Sequence, residues 1–177
     1  EDAEKLAFSF LKDGQTVSFG GSMTLEETGM LTALRHDPSI HLIDRSTAKT
    51  PDETKKMYHD ALSSDVYFMS TNAITTGGEL VNIDGTGNRV AALIYGPETV
   101  VILAGMNKIA ANVDEALSRV HNVATAQNCI RLDKKTPCAI TGACLSPDCI
   151  CNQVVITRRS GIKGRIKVLL IGESFGY

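Results

Sequence analysis

Two clusters of glycines and short polar side chains hold most of the chemistry this sequence offers. The first is Phe19-Gly20-Gly21-Ser22-Met23-Thr24, and the second runs Asn82-Ile83-Asp84-Gly85-Thr86-Gly87-Asn88-Arg89. Glycine lets a backbone turn tightly against a ligand, and the unpaired N–H groups opening a following helix favour an anion. Ser22 and Thr24 add hydroxyl donors to the first cluster. Around the second, Asn72, Thr75, Asn82, Asp84, Thr86, Asn88 and Arg89 set amides, hydroxyls and charges beside Gly85 and Gly87. A guanidinium near a helix start opposes the local dipole, so Arg89 requires an anion or an acidic side chain as partner. Glu27 and Glu79 are the candidate general bases, because enclosure in a glycine-lined pocket raises a carboxylate pKa toward neutrality. The structural alternative has Gly20-Gly21 as a turn, Thr24 as a helix cap, and Asp84 and Asn88 bonding local backbone. Neither cluster ends in the Gly-Lys-Ser/Thr of a P-loop, and Gly85-Thr86-Gly87 lacks the third glycine of a dinucleotide fingerprint.

The five cysteines all fall between Cys129 and Cys151. Cys138, Cys144, Cys149 and Cys151 are separated by five, four and one residues, which is neither a zinc-finger nor a ferredoxin spacing. Four thiolates on a loop that folds back can still hold one soft metal, either a zinc ion or an iron–sulfur cluster. Free thiols, some buried as small apolar groups, are the alternative. An odd, crowded set argues against a secreted disulfide framework and for a cytoplasmic protein.

These residues need elements to position them, and the chain alternates. Ala3–Leu11 has helical spacing and stops at Asp13-Gly14; Thr16–Phe19 reads as a strand ending at Gly20-Gly21. Thr24 and Glu27 have capping-box form, opening a helix buried through Leu25, Leu31 and Leu34. Ile40–Ile43 is a second strand, Thr50-Pro51 opens a helix, and Val66–Met69 is a third strand. Ile74–Thr76 and Glu79–Val81 flank Gly77-Gly78, a two-residue hairpin signal. A short helix over Arg89–Tyr95, a strand over Thr99–Ala104 and a helix over Asn112–Val123 follow, with late strands at Val154–Thr157 and Ile166–Ile171. The pattern predicts an α/β fold: a mostly parallel sheet flanked by helices, with a β-hairpin in the middle. Ligands gather at the carboxyl ends of such strands, so both glycine clusters are expected to face one pocket.

Composition sets the outer bounds. The 177 residues suit a single domain over 1–177, and 43% hydrophobic with 21% charged residues is ordinary globular composition. A net charge of −2 without a basic run argues against nucleic acid, and no apolar stretch reaches the length of a membrane span.

Several stretches resemble the lactate-utilisation (LUD) domain family. They are Phe19 to Gly29, Asp65 to Thr75, Gly78 to Arg89, Ala104-Gly105-Met106-Asn107-Lys108 and Thr136-Pro137-Cys138. The resemblance covers nearly the whole chain. It implies a fold related to ribose phosphate isomerase, glucosamine phosphate deaminase and the CoA transferases, and for some members a link to bacterial lactate oxidation. The reading that follows is a pocket for a small anionic metabolite, carboxylate or phosphate, held by Gly20, Gly21, Ser22, Thr24 and the Asn72–Arg89 polar set. Two alternatives stay open. One is acyl transfer with Glu79 as nucleophile, by analogy with the CoA transferases; the other is a non-catalytic subunit of an electron-transfer assembly with an iron–sulfur protein partner. A homo-oligomer is also expected.

Overall fold

The structure, a computed structural model, describes residues 2–143 and 149–177. Helix α1 (Asp2–Phe8) leads into strand β1 (Thr16–Phe19), which matches the reading from sequence. The next helix differs from expectation. Ser22, not Thr24, caps α2 (Met23–Glu27), its hydroxyl accepting the Leu25 N–H at 3.3 Å. Thr24 is fully buried and its hydroxyl donates to the distant Phe175 carbonyl, so it is unavailable as a cap. Gly29, at φ +75°, then breaks the helix, and α3 (Met30–His36) starts afresh.

Strand β2 (His41–Ile43) is followed by a 3₁₀ turn over Arg45–Thr47, by α4 (Pro51–Leu62) and by β3 (Val66–Met69). Thr50 caps α4 through the Glu53 N–H, with Pro51 at the first helical position. Strands β4 (Ala73–Thr75) and β5 (Leu80–Asp84) form the hairpin, but four residues separate them rather than two. The Thr75 N–H donates to the Glu79 carbonyl at 2.9 Å, and Gly78 at φ +92° supplies the left-handed position of that longer loop.

Helix α5 (Asn88–Ile94), strand β6 (Thr99–Gly105) and the two-residue strand β7 (Ile109–Ala110) come next. Helix α6 (Val113–Arg119) continues through a wide π-type turn at Val120–Thr125 into α7 (Ala126–Arg131). Helix α8 (Pro137–Thr141), β8 (Gln153–Thr157) and β9 (Ile166–Ile171) complete the described elements.

The strands divide between two sheets. A five-stranded sheet in the order β2-β1-β3-β6-β9 is parallel throughout. Its middle strand pair is buried on both faces: Val66, Phe68, Met69 and Val100 to Ala104 are all fully buried. Each large apolar side chain removed from water this way contributes about 1.5–3 kcal/mol before entropy is counted. The hairpin does not join this sheet. It nucleates a second, mixed sheet in the order β7-β4-β5-β8, whose pairing spans β5 to β8 from Leu80↔Thr157 to Asp84↔Gln153. The fold class is therefore α/β with a mostly parallel sheet flanked by helices, plus a smaller sheet seated beyond the carboxyl ends of β3 and β6. No helix among the described residues is long and apolar enough to cross a membrane.

Candidate functional site

The carboxyl ends of β1, β2, β3 and β6, together with the end of β5, enclose a cavity of about 540 Å³. Gly21 and Ser22 follow β1, Arg45 follows β2, Ser70 to Asn72 follow β3, Asp84 to Thr86 end β5, and Lys108 follows β6; all of these line it. Residues from α7 and the chain's last described residue, Tyr177, form the opposite wall. The two glycine clusters thus share one cavity.

Arg89 is the hub beneath this floor. Its side chain is 12% exposed and all five N–H donors are engaged within the protein. Nη1 donates to Asn82 Oδ1 at 2.6 Å and to the Ser70 carbonyl at 3.3 Å. Nη2 donates to Asn72 Oδ1 at 3.0 Å and to the Ile83 carbonyl at 2.8 Å. Nε faces Asp84 Oδ2 at 3.2 Å. Burial pulls the guanidinium pKa down and Asp84 pulls it back up. Of the two partners the sequence suggested for Arg89, an anion or an acidic side chain, it holds the acidic side chain. Asp84 also accepts the Thr86 and Gly87 N–H groups at 3.2 and 2.9 Å, so it fixes the turn that starts α5. Arg119 completes the frame from α6, donating to the carbonyls of Asn72 and Asn107 at 2.7 and 2.8 Å.

Lys108 is only 3% exposed, yet it lines the cavity. Nζ donates to Thr24 Oγ1 at 2.8 Å and to Ser70 Oγ at 3.0 Å. Burial, reinforced by the charges of Arg119 and Arg89 and opposed by Glu27, brings its pKa down to about 7. Arg45 lies across Gly21, where a side chain would collide with its guanidinium, and sits 5.6 Å over the Tyr58 ring. It finds no hydrogen-bond acceptor for its guanidinium among the described residues. Arg131 and Lys134 add further positive charge to the wall.

Several expected site residues lie elsewhere. Gly20, Thr24, Asn82 and Gly87 stand behind the lining and support it: a side chain at Gly20 would meet Arg89 Cδ at 3.1 Å. Thr75 and Glu79 belong to the hairpin loop, where the Thr75 hydroxyl donates to the Glu79 carboxylate and lowers its pKa instead of raising it. Glu27 is exposed and accepts the Gly176 N–H at 2.6 Å. Neither candidate base lines the cavity, whose carboxylate is Asp84. Conversely, Arg45, Lys108, Arg131 and Tyr177 were not singled out by residue pattern. The rule that picks the carboxyl end of β1 picks Arg45 when applied to β2, and Lys108 stands out as the first charge after an apolar strand.

Among the cysteines, Cys144 lies outside the described residues. Cys129 and Cys138 are buried together against Ala126, with Ile150 packed on them, and Cys149 and Cys151 are half-buried nearby. Among the described residues no three metal-ligating side chains are grouped as a metal site requires. Burial raises the Cys129 thiol and pushes Cys151 up to about 11. Cys151 is accordingly expected to react with iodoacetamide at pH 8 roughly a hundredfold more slowly than a free thiol, since only the thiolate attacks. Peptide-resolved mass spectrometry over time checks this; alkylation at the rate of an unfolded control would contradict it.

The sequence profile of the LUD domain matches residues 1–171. The chain belongs to the LUD domain family. Comparison of this LUD domain with curated proteins gives no significant match. Among solved structures it is similar to a DUF162 family protein from Deinococcus radiodurans, at 12% identity and TM-score 0.42, covering 97% of this chain and 93% of that one. It is also similar to eIF2B delta from Chaetomium thermophilum, at 19% identity and TM-score 0.41, covering 65% of this chain and 49% of that one. A third likeness is ribose 5-phosphate isomerase A from Methanocaldococcus jannaschii, at 19% identity and TM-score 0.39, covering 64% and 54% respectively. This LUD domain spans less than half the length of the eIF2B chains it matches, 42% and 49% of them.

Proposed function

We propose that this LUD domain binds a small anionic metabolite, a carboxylate or a phosphate, in the cavity above Arg89, and that it serves organic-acid metabolism of the lactate type. One observation carries the reading: among the described residues, Arg45, Arg89, Lys108, Arg131 and Lys134 line the cavity against the one side-chain carboxylate of Asp84. Asp84 is already matched by Arg89, and Arg45, Arg131 and Lys134 form no ion pair among the described residues. Such a concave, positively charged site with walls of fixed polar groups concentrates and orients an anion.

Roles follow from which donors are free. Arg45 is the primary anion contact, because its planar fork is preorganised on Tyr58 and has no acceptor among the described residues. Arg131 holds Tyr177 and Asn128 through Nε and Nη2, at 2.7 and 2.8 Å, which leaves Nη1 for the ligand. Arg89 acts indirectly, by holding Asn72 and the β5 turn in place.

Thermal-shift and calorimetric titration with inorganic phosphate, hydroxy acids, keto acids and sugar phosphates tests this. At a ligand concentration of 100 times Kd the domain is stabilised by about 2.7 kcal/mol. Arg45→Ala removes a charge-assisted contact of about 1.5–3 kcal/mol, so affinity falls roughly tenfold to a hundredfold or more while the unliganded melting temperature stays near that of wild type. A ligand response unchanged by Arg45→Ala, or no response to any of these anions, refutes the reading.

A further inference from the structure

The hydrogen-bond directions around Lys108 say more than that it is buried. Thr24 Oγ1 has one proton, and it is donated to the Phe175 carbonyl at 3.1 Å. The Ser70 hydroxyl proton is likewise donated to the Thr71 carbonyl at 3.3 Å. Both hydroxyl oxygens can then only accept from Lys108 Nζ, at 2.8 and 3.0 Å. Of the four tetrahedral positions on the nitrogen, one is the side-chain bond and two are N–H bonds held by these oxygens. The remaining position holds a third proton in the ammonium or the lone pair in the amine, and Lys108 contributes to the cavity wall.

The surroundings select the amine. No carboxylate forms an ion pair with Lys108 among the described residues. The groups that act on it are Arg119 of α6 and Arg89 of α5, both cationic, with Glu27 of α2 as the one opposing charge. Glu27 is itself engaged by the Gly176 N–H. A lysine held this way is neutral in a substantial fraction of molecules near neutral pH, and its nitrogen is then a nucleophile.

We propose that Lys108 captures carbonyl ligands covalently: its Nζ forms a Schiff base with the aldehyde or ketone group of the anionic metabolite in the cavity. This rests on the anion-binding reading above for the ligand's charge, and adds its reactive group. The Nζ lone pair forms a bond to the carbonyl carbon, the C–O π pair moves to oxygen, and that oxygen takes a proton from nitrogen. The resulting carbinolamine loses its hydroxyl, with one more proton, as water while the nitrogen lone pair closes the C=N bond. The iminium keeps one N–H, which Ser70 or Thr24 accepts. One amine, one carbonyl and one proton thus yield one iminium and one water, and no oxidant or reductant takes part. Lactate, which has no carbonyl other than its carboxylate, cannot enter this step, whereas 2-keto acids and phosphorylated aldehydes or ketones can.

Reductive trapping on the wild-type protein tests the proposal without relying on a variant that folds. The protein is incubated at pH 7 with cyanoborohydride and either pyruvate or the uncharged carbonyl acetone, then digested and mapped by mass spectrometry. The expected result is a reduced pyruvate adduct on Lys108 at least tenfold ahead of the exposed Lys49, Lys56 and Lys163, and little adduct from acetone. Adducts on the exposed lysines with Lys108 unmodified overturn the proposal, as does Lys108 labelling that pyruvate and acetone drive equally. Phosphate calorimetry on the same sample separates the two readings. Phosphate binding without Lys108 labelling overturns the Schiff base and leaves the anion cavity standing; Lys108 labelling that is indifferent to charge, without phosphate binding, removes the anion cavity itself.

Discussion

Arg89→Met lowers the stability of this LUD domain by about 3–5 kcal/mol, the range for removing one partner of a buried ion pair. Against a total of about 5–15 kcal/mol for an ordinary domain, that is enough to leave a marginal protein partly unfolded at room temperature. Methionine replaces most of the apolar stem, so the loss comes from the head group. Asp84 is left as a 9% exposed carboxylate facing no cation, and the Oδ1 atoms of Asn72 and Asn82 lose their strongest donor. Asn82 is already fully buried with its amide nitrogen unpartnered among the described residues, and its Oδ1 keeps the Asn72 N–H at 3.3 Å. Urea unfolding followed by circular dichroism reads the effect as a fall in midpoint at constant slope. Adding Asp84→Asn to Arg89→Met removes the orphaned charge and recovers part of the loss, a non-additivity that a double-mutant cycle measures. Removing the exposed Lys56–Asp60 pair, 2.6 Å apart on α4, changes stability by no more than about 0.5 kcal/mol. An Arg89→Met midpoint close to that of the Lys56 variant would contradict the assignment of Arg89 as hub.

The contrast between these two ion pairs shows what sequence can and cannot reveal here. Strands β3 and β6 are visible because a strand buried on both faces must be written as a run of apolar, β-branched residues. Thr50-Pro51 announces α4 because a cap and a first-turn proline act within a few residues. The common cavity is legible too, since parallel strands place all their carboxyl ends on one side of the sheet. The fate of each polar side chain is not legible, because it depends on contacts from far along the chain. Glu27 meets Gly176 across 149 positions, and Lys108 meets Thr24 across 84. The capping-box spacing points to Thr24, but Phe175 and Lys108 claim the Thr24 hydroxyl and Ser22 caps the helix instead. The hairpin carries a correct local signal, but its joining a second sheet follows from pairing with β8, some seventy positions later. Glu79 illustrates the consequence: a carboxylate beside glycines looks enclosed in sequence, and lies on an outer loop in space.

Lys108→Met is expected to flatten the dependence of stability on pH between about 7 and 10. In the folded protein the Lys108 pKa is about 7, against an ordinary 10.5. Below pH 7 both folded and unfolded chains carry the proton, and the folded state bears the full penalty of a buried ammonium beside Arg119 and Arg89. Between the two pKa values the unfolded chain binds one more proton than the folded chain, so stability rises with pH, by at most about 1.4 kcal/mol per unit. Above the unfolded pKa the contribution is constant. Tyr67 and Tyr177, whose pKa values burial raises, also titrate at high pH, so the measured quantity is the difference between wild type and variant at each pH. The methionine variant loses the hydrogen bonds to Thr24 and Ser70 at every pH, which shifts its curve downward without tilting it. Wild type should therefore gain on the variant by a few kcal/mol from pH 7 to pH 10, read from urea midpoints at intervals of half a unit. Parallel curves would mean that Lys108 keeps an ordinary pKa in the folded protein, and would remove both the neutral amine and the chemistry built on it.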